Sequence, residues 1–372
     1  MKYQSALPFF HQSDIDDIVS QYKHILSGNG MLTKGPIVKK FEEAYANYIG
    51  TQFGISTNSC TTALEIALKS IKIKKNDEVI VPAQTFVSTG SSVVNAGGSP
   101  VFCDTDNNFS IDLEDLKSKI SKKTKAVIVV HYAGLIQENI FEIRDILQKR
   151  NIFLIEDCAH ASGAKINGIM AGNIGDFGCH SFYSTKIMTT GEGGMITLND
   201  ENRYKECASI RSIGIDLNSK TEIFSNIGSN YRMSEFQAIL GLSQLNRLDQ
   251  FVEHRIKIAN SFKKELKNLH EQGVLSFQTF NSNTRHPFWK FIIYLKSEKF
   301  SLSDLKQKLF KEGINISAPY YPLMHKQPVF ENNLLLTNVE RLSKIHFCLP
   351  IHFKISIEDS INISKLLKEA LK

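Results

Sequence analysis

Four short runs constrain this chain most: DEVIVPA (77–83), SPVFCD (99–104), KAVIVVHYAG (125–134) and IFLIEDCA (152–159). Each is short and rich in β-branched residues, none alternates strictly between apolar and polar, and helical stretches separate them. A strand that is apolar on both sides must be covered on both sides, which demands a mostly parallel sheet between two layers of helices. The fold class expected is therefore α/β. Two further strands, in DFGCHSFY and GGMITLN, bracket the stretch HSFYSTKIMTTGEGGMI (180–196).

Before these runs, residues 14–49 read as one amphipathic helix, a turn at SGNGMLTKGP, and a second helix, VKKFEEAYANYIG, which stops at Gly50. From Ser234 a long helical pattern begins, with Ser234 and Gln237 in capping-box register. It is expected to link a large domain, 1–245, to a smaller α+β domain, 246–372, with the first 30 or so residues free to pack on the smaller one. In that second part FWKFIIYL alternates, while LSDLKQKLFKEG and SKLLKEALK read as helices.

At 372 residues, with 42% hydrophobic and 22% charged residues, the chain can bury a large core and is not disordered. The N-terminal residues lack the basic-then-apolar order of a secretion signal, and no apolar run approaches the roughly 18 residues of a membrane span. A cytoplasmic protein with no membrane attachment is expected. Six cysteines occur without a C-x-x-C pair, and several sit in apolar strand-like runs where they read as small buried hydrophobes, so neither a disulfide framework nor a metal site is expected. The net charge of +6 comes from dispersed lysines with no basic stripe interleaved with aromatics, which argues against nucleic acid as a partner.

Lys186 stands among serines, threonines and apolar residues with no other charge before Glu192. It is either a solvated lysine in a polar loop or an amine in a shaped pocket, where burial lowers its pKa and makes it nucleophilic toward a carbonyl. Asp157 ends an apolar strand; such an aspartate caps a helix or, beside a lysine, pairs with the pyridinium nitrogen of pyridoxal phosphate while the lysine holds the aldehyde as a Schiff base. STNSCTTALEIALKSI (56–71) offers Thr61 and Thr62 at the start of an amphipathic helix, as an ordinary cap or as an anion site. Phe86, after a strand, is either core or a stacking face for a flat cofactor. Glu192 reads as structural.

With these residues in place, the sequence resembles the DegT/DnrJ/EryC1/StrS family of sugar aminotransferases. The likeness runs through GMLTKGPIVKKFEEAYANYIG, NSCTTAL, VIVPAQTFVST, IEDCAHASGA, SFYSTKIMTTGEGGM, SNYRMSEFQAILGLSQLNRLD, PYYPLMHKQPVF and LPIH. The resemblance implies a fold-type I, pyridoxal-5′-phosphate-dependent transferase in which Lys186 is covalent anchor, acid and base, and Asp157 holds the pyridinium proton. It implies that Phe86 stacks on the ring, that His160 approaches its phenolic oxygen, and that Thr61, Thr62 and Ser181 hold the phosphate. Asn230 would reach in from a neighbouring subunit, so the active sites would be shared in a homodimer. The implied reaction moves an amino group from an amino acid, glutamate by family habit, to a nucleotide-linked keto-sugar, with Tyr320 and His325 as substrate contacts. Family dehydratases replace the lysine with histidine, and a pocket-bearing regulator without turnover is the other alternative. Cys60, where glycine is frequent, and Leu135, where glutamine is common, depart from the family pattern.

Overall fold

The computed structural model describes residues 1–216, 219–330 and 333–372. Its centre is a seven-stranded sheet. In chain order the strands are β1 (Phe53–Thr57), β2 (Glu78–Pro82), β3 (Ser99–Cys103), β4 (Thr124–Val130), β5 (Phe153–Asp157), then a two-residue hairpin β6 (Lys165–Ile166) and β7 (Ile169–Met170) outside the sheet, then β8 (Phe177–Ser181) and β9 (Gly194–Leu198). Across the sheet the order is β1-β9-β8-β5-β4-β2-β3. Neighbours from β8 to β3 are parallel, and β9 alone runs against the rest.

Strict alternation is missing from these strands because both faces are buried. Val79, Val81, Ala126, Ile128 and Ile155 enter one core with Ala63, Leu64 and Ala67 of helix Cys60–Ser70. Their neighbours Ile80, Val127, Val129 and Leu154 enter another core, with Ile140, Ile143 and Leu147 of helix Ile140–Gln148. Burying an apolar side chain of this size contributes roughly 1.5–3 kcal/mol, so a polar residue in mid-strand must bring its own hydrogen-bond partners on either face.

The two early helices form at Gln12–His24 and Pro36–Ile49, the second closed by Gly50 in the left-handed conformation (φ 86°). Helix Glu235–Glu265 is 31 residues long, and both halves of its capping box are made by Ser234 and Gln237. Its Ala238, Leu248, Phe251 and Val252 pack with Phe41, Tyr45 and Phe182, while its Ile258, Ala259 and Phe262 belong to a separate core. Residue 245 thus lies inside a continuous helix shared by both cores.

That separate core is built on an antiparallel sheet ordered β10-β12-β13, where β10 is Leu275–Phe277, β12 is Phe291–Leu295 and β13 is His346–Leu349; β11 (Thr284–Arg285) instead pairs with β6. Helices Leu302–Lys311 and Ile357–Ala370 contribute Leu305, Leu309, Ile363 and Leu367 to it. The N-terminal residues are tied to it: Tyr3 is buried there, and its N–H and carbonyl bond to Gly313 and Asn315. All six cysteines are free and buried. Among the described residues no helix is long and apolar enough to cross a membrane.

Candidate active site

The carboxyl ends of the parallel strands open on a cavity of about 530 Å³. In open α/β sheets this edge gathers side chains carried by successive strand-to-helix loops. β5 delivers Asp157, β8 delivers Ser181, the loop after β2 delivers Phe86, and the β8–β9 connection delivers Lys186. That connection is a hairpin closed by the Ser181–Gly194 pair. Its glycines have separate reasons: Gly191 is left-handed (φ 79°), and a Cβ on Gly194 would stand 2.5 Å from the Ser59 carbonyl. β9 therefore starts pressed against the amino end of helix Cys60–Ser70.

Asp157 is buried, and its carboxylate accepts bonds from Thr89 Oγ1 (2.9 Å) and the Ala159 N–H (3.1 Å). Burial raises its pKa, and those two donors with the nearby Lys186 charge only partly offset this. The site thus lacks a full positive partner for this carboxylate.

Lys186 is held down to a pKa of about 8, chiefly by burial. Its side chain keeps some exposure toward the cavity, but protein surrounds that cavity and the ammonium form loses most of its water. Among the described residues its amine has no hydrogen bond or ion pair and lies 4.4 Å from the Trp289 ring centroid. The Trp289 indole N–H in turn donates to the Thr185 carbonyl (3.0 Å), which ties the lysine's loop to the start of β12.

His160 lies nearly parallel to Trp289, at 3.9 Å and 6°, and shares a 2.8 Å hydrogen bond between Nε2 and Tyr320 Oη. Burial, then the Lys186 charge, hold its pKa well below the ordinary value, so the ring is neutral, and among the described residues its buried Nδ1 has no partner. Tyr320 takes a left-handed backbone (φ 67°), a conformation costing a non-glycine residue roughly 1 kcal/mol or more. The His160 bond and the Gln84 amide on the Pro319 carbonyl (3.0 Å) hold it there. Phe86 is 54% exposed and faces the cavity with its ring 5.8 Å from Tyr320, so it is not a core residue.

At the amino end of helix Cys60–Ser70, Ser59, Cys60 and Thr61 line the cavity, as do Ser88 and Ser181; Thr61 Oγ1 donates to Ser88 Oγ (2.8 Å). Thr62 does not line it: its hydroxyl is taken by the Asn58 side chain (2.7 Å) and the Ser59 carbonyl (2.8 Å), the work of the cap. Nor does His325, which is fully buried 3.3 Å from Glu340. Asn230 lies outside the cavity on an exposed segment that also presents Ile223, Phe224 and Ile227. Glu192 lines the cavity, while its carbonyl accepts Thr190 Oγ1 and the Gln237 amide.

Behind the cavity, buried Glu156 accepts three backbone N–H groups, from Gly172, Ile174 and Gly175, and a bond with His131 Nε2. Burial alone would raise the Glu156 pKa, but these partners bring it below the ordinary value. With Cys158 close by, this triad has the donor types of a metal site, yet its carboxylate is already satisfied by the protein.

Sequence reasoning missed Thr89, Lys290 and Ser5, all of which line the cavity. Thr89 was findable, since TFVSTG puts it one helical turn after Thr85, to whose hydroxyl it bonds (3.0 Å). Trp289, Lys290 and Ser5 arrive from the small sheet and the N-terminus, over sequence separations that no local pattern encodes.

The residues fit pyridoxal phosphate: an amine without a partner, a buried carboxylate wanting a cation, and hydroxyls at a helix amino end share one cavity. Sheet order and site together define a fold-type I, pyridoxal-phosphate-dependent aminotransferase. The chain belongs to the DegT/DnrJ/EryC1/StrS aminotransferase family, whose profile matches residues 12–368. GDP-perosamine synthase of Caulobacter vibrioides is 35% identical over 301 residues, covering 80% of this chain and 79% of that protein. The UDP-4-amino-4,6-dideoxy-N-acetyl-beta-L-altrosamine transaminase of Campylobacter jejuni is 30% identical over 371 residues, 97% of this chain and 94% of that one. The structure of NtdA from Bacillus subtilis, with the cofactor PMP bound, matches with a TM-score of 0.89 at 25% identity, covering 100% of this chain and 87% of that one. The chain is an aminotransferase of this family.

Proposed function

We propose that this enzyme moves an amino group from L-glutamate to the carbonyl carbon of a nucleotide-activated keto-hexose, in the cytoplasm and as a homodimer. The observation that carries the reading is the partnerless amine of Lys186, with a pKa of about 8, in the same cavity as buried Asp157. An amine in that range is part neutral at working pH, as a nucleophile and base must be. The names of the Caulobacter and Campylobacter relatives, a GDP-sugar synthase and a UDP-sugar transaminase, support the substrate class. The PMP in NtdA supports the amine-carrying form of the cofactor. Six free thiols suit a reducing compartment.

When bound, pyridoxal phosphate supplies the aldehyde that carries the amino group between substrates and a protonated ring that withdraws electrons. Lys186 Nζ anchors it, takes up the proton leaving the donor's α-carbon, and returns a proton when nitrogen is delivered to the sugar. Asp157, kept in place by Thr89, holds the proton of the ring nitrogen. Phe86 would stack on the ring, and neutral His160 would offer its Nδ1 to the phenolic oxygen. Thr61, Ser181 and the first amides of helix Cys60–Ser70 receive the phosphate, with Thr62 shaping the turn as its cap. Tyr320 faces the substrate, and His325, through Glu340, supports the segment that carries Tyr320. The apolar residues exposed around Asn230 suit a subunit contact that would bring Asn230 of the second copy to the phosphate.

Adding L-glutamate to the yellow holoenzyme tests this reading. The colour should bleach, and a keto-sugar from a panel of GDP-, UDP- and dTDP-linked acceptors should restore it. A protein that stays yellow with every donor is a binder without turnover, and loss of a sugar hydroxyl without amination would mark a dehydratase.

A further inference from the structure

A second lysine borders the same cavity. Lys290 directly precedes β12 and is 6% exposed, and its ammonium donates one hydrogen bond, to the Ser5 carbonyl (3.2 Å). Among the described residues no carboxylate pairs with it, although buried cations are ordinarily paired. Ser317 lines the cavity too, and among the described residues its buried hydroxyl has no hydrogen-bond partner. Ser317 pairs with Cys348 of β13, the strand beside β12, which begins directly after Lys290, and both Lys290 and Ser317 line the cavity. A buried cation short of acceptors beside a hydroxyl short of partners is a site built for an anion.

We propose that Lys290, with Ser317, is the subsite for the α-carboxylate of the amino-acid donor. The inference rests on the aminotransferase reading above and deepens it. Position chooses among the possible anions. Lys290 Nζ and Lys186 Nζ lie 5.1 Å and 4.4 Å from the centroid of one ring, that of Trp289. An anion held at Lys290 is therefore close to the reacting amine. The donor's α-carboxylate meets that demand because it is one bond from the carbon that loses its proton. A nucleotide's diphosphate lies beyond a whole sugar ring from the reacting carbonyl. The cofactor's phosphate is assigned above to Thr61, Ser181 and the amino end of helix Cys60–Ser70, which line the cavity at the strand ends.

Trp289 is the only tryptophan of the chain, so it reports on this wall. Glutarate, a dicarboxylate that cannot react, is titrated into the holoenzyme while Trp289 fluorescence is followed. The glutamate saturation of bleaching and the reaction of the amine form with keto-sugar are measured separately. In Lys290→Met the glutarate dissociation constant and the glutamate saturation constant should each rise about 100-fold, the range seen when one partner of a buried charged pair is removed. The limiting bleaching rate and the keto-sugar reaction should change by no more than about threefold, and Lys290→Arg should recover most of the loss. Ser317→Ala should weaken glutarate about 3–10-fold, which keeps the test open if Lys290→Met folds poorly. An unchanged glutarate constant with both half-reactions slowed alike would make Lys290 a mere anchor for the N-terminal segment. Loss confined to the keto-sugar step would make it a phosphate contact. Either result overturns the proposal. Failure of wild-type enzyme to bleach with glutamate while glutarate still binds through Lys290 would count against glutamate as donor and leave the carboxylate subsite standing.

Discussion

Lys186→Met replaces a buried amine with an apolar side chain of similar length, and the structure sets both the sign and the size of the effect on stability. Burial lowers the folded-state pKa from 10.5 to about 8. At about 1.4 kcal/mol per pKa unit, the depression costs the cofactor-free protein about 3 kcal/mol at any pH below 8. Because the folded value lies below the unfolded one, the unfolded chain binds the extra proton between about pH 8 and 10.5. Wild-type stability therefore rises with pH through that window, and the cost is gone above it. Two effects offset part of the penalty: residual water in the cavity screens the charge, and the indole face at 4.4 Å returns about 0.5–2 kcal/mol. The variant apoprotein should be more stable than wild type by about 1–2 kcal/mol at pH 7, with the gap closing by about pH 10.5, although turnover is lost. Urea unfolding of cofactor-stripped protein across this pH range checks it, at one protomer concentration since subunit association feeds into the apparent stability. A variant less stable at pH 7, or a gap that ignores pH, would refute the reasoning.

Four further outcomes are expected. Asp157→Ala should lower the rate of glutamate-dependent bleaching by about a thousandfold or more, read by absorbance under single turnover, because an uncharged partner no longer holds the ring proton. Thr89→Val removes the 2.9 Å bond to Asp157 and should weaken cofactor binding about tenfold, measured by equilibrium titration of apoprotein. Mixing Lys186→Ala with Asn230→Ala protein, each inactive, should regain activity toward about a quarter of the wild-type value as mixed dimers form with one intact site; no recovery after subunit exchange would argue against shared sites. Ser234→Ala removes half of the capping box of helix Glu235–Glu265 and should cost about 1 kcal/mol in denaturant unfolding.

The sheet was legible because its strands are buried on both faces, a condition that leaves apolar runs in sequence; Val79 to Val81 and Ala126 to Val130 record it directly. Asp157, Ser181, Phe86 and Lys186 were legible because each sits at the end of such a run or on the turn between two of them. The helix start at 59–62 was read as either a cap or an anion site, and sequence could not divide its hydroxyls between the two. Thr61 turns to the cavity and Thr62 into the cap, a choice of rotamer and hydrogen-bond partner made in three dimensions. The wall formed by Trp289, Lys290, Ser317 and Ser5 was not legible. Its members are up to 312 positions apart in the chain and meet only when the small sheet docks beside the large one. His325 shows the converse: a histidine in a motif-like stretch that folding directs to Glu340 and away from the cavity.

Borohydride reduction of the yellow holoenzyme, followed by peptide mapping, tests the central claim most directly. A single pyridoxyl group fixed to the ε-nitrogen of Lys186 is the predicted result. Label on Lys290 or any other residue, or no label at all, would contradict the account.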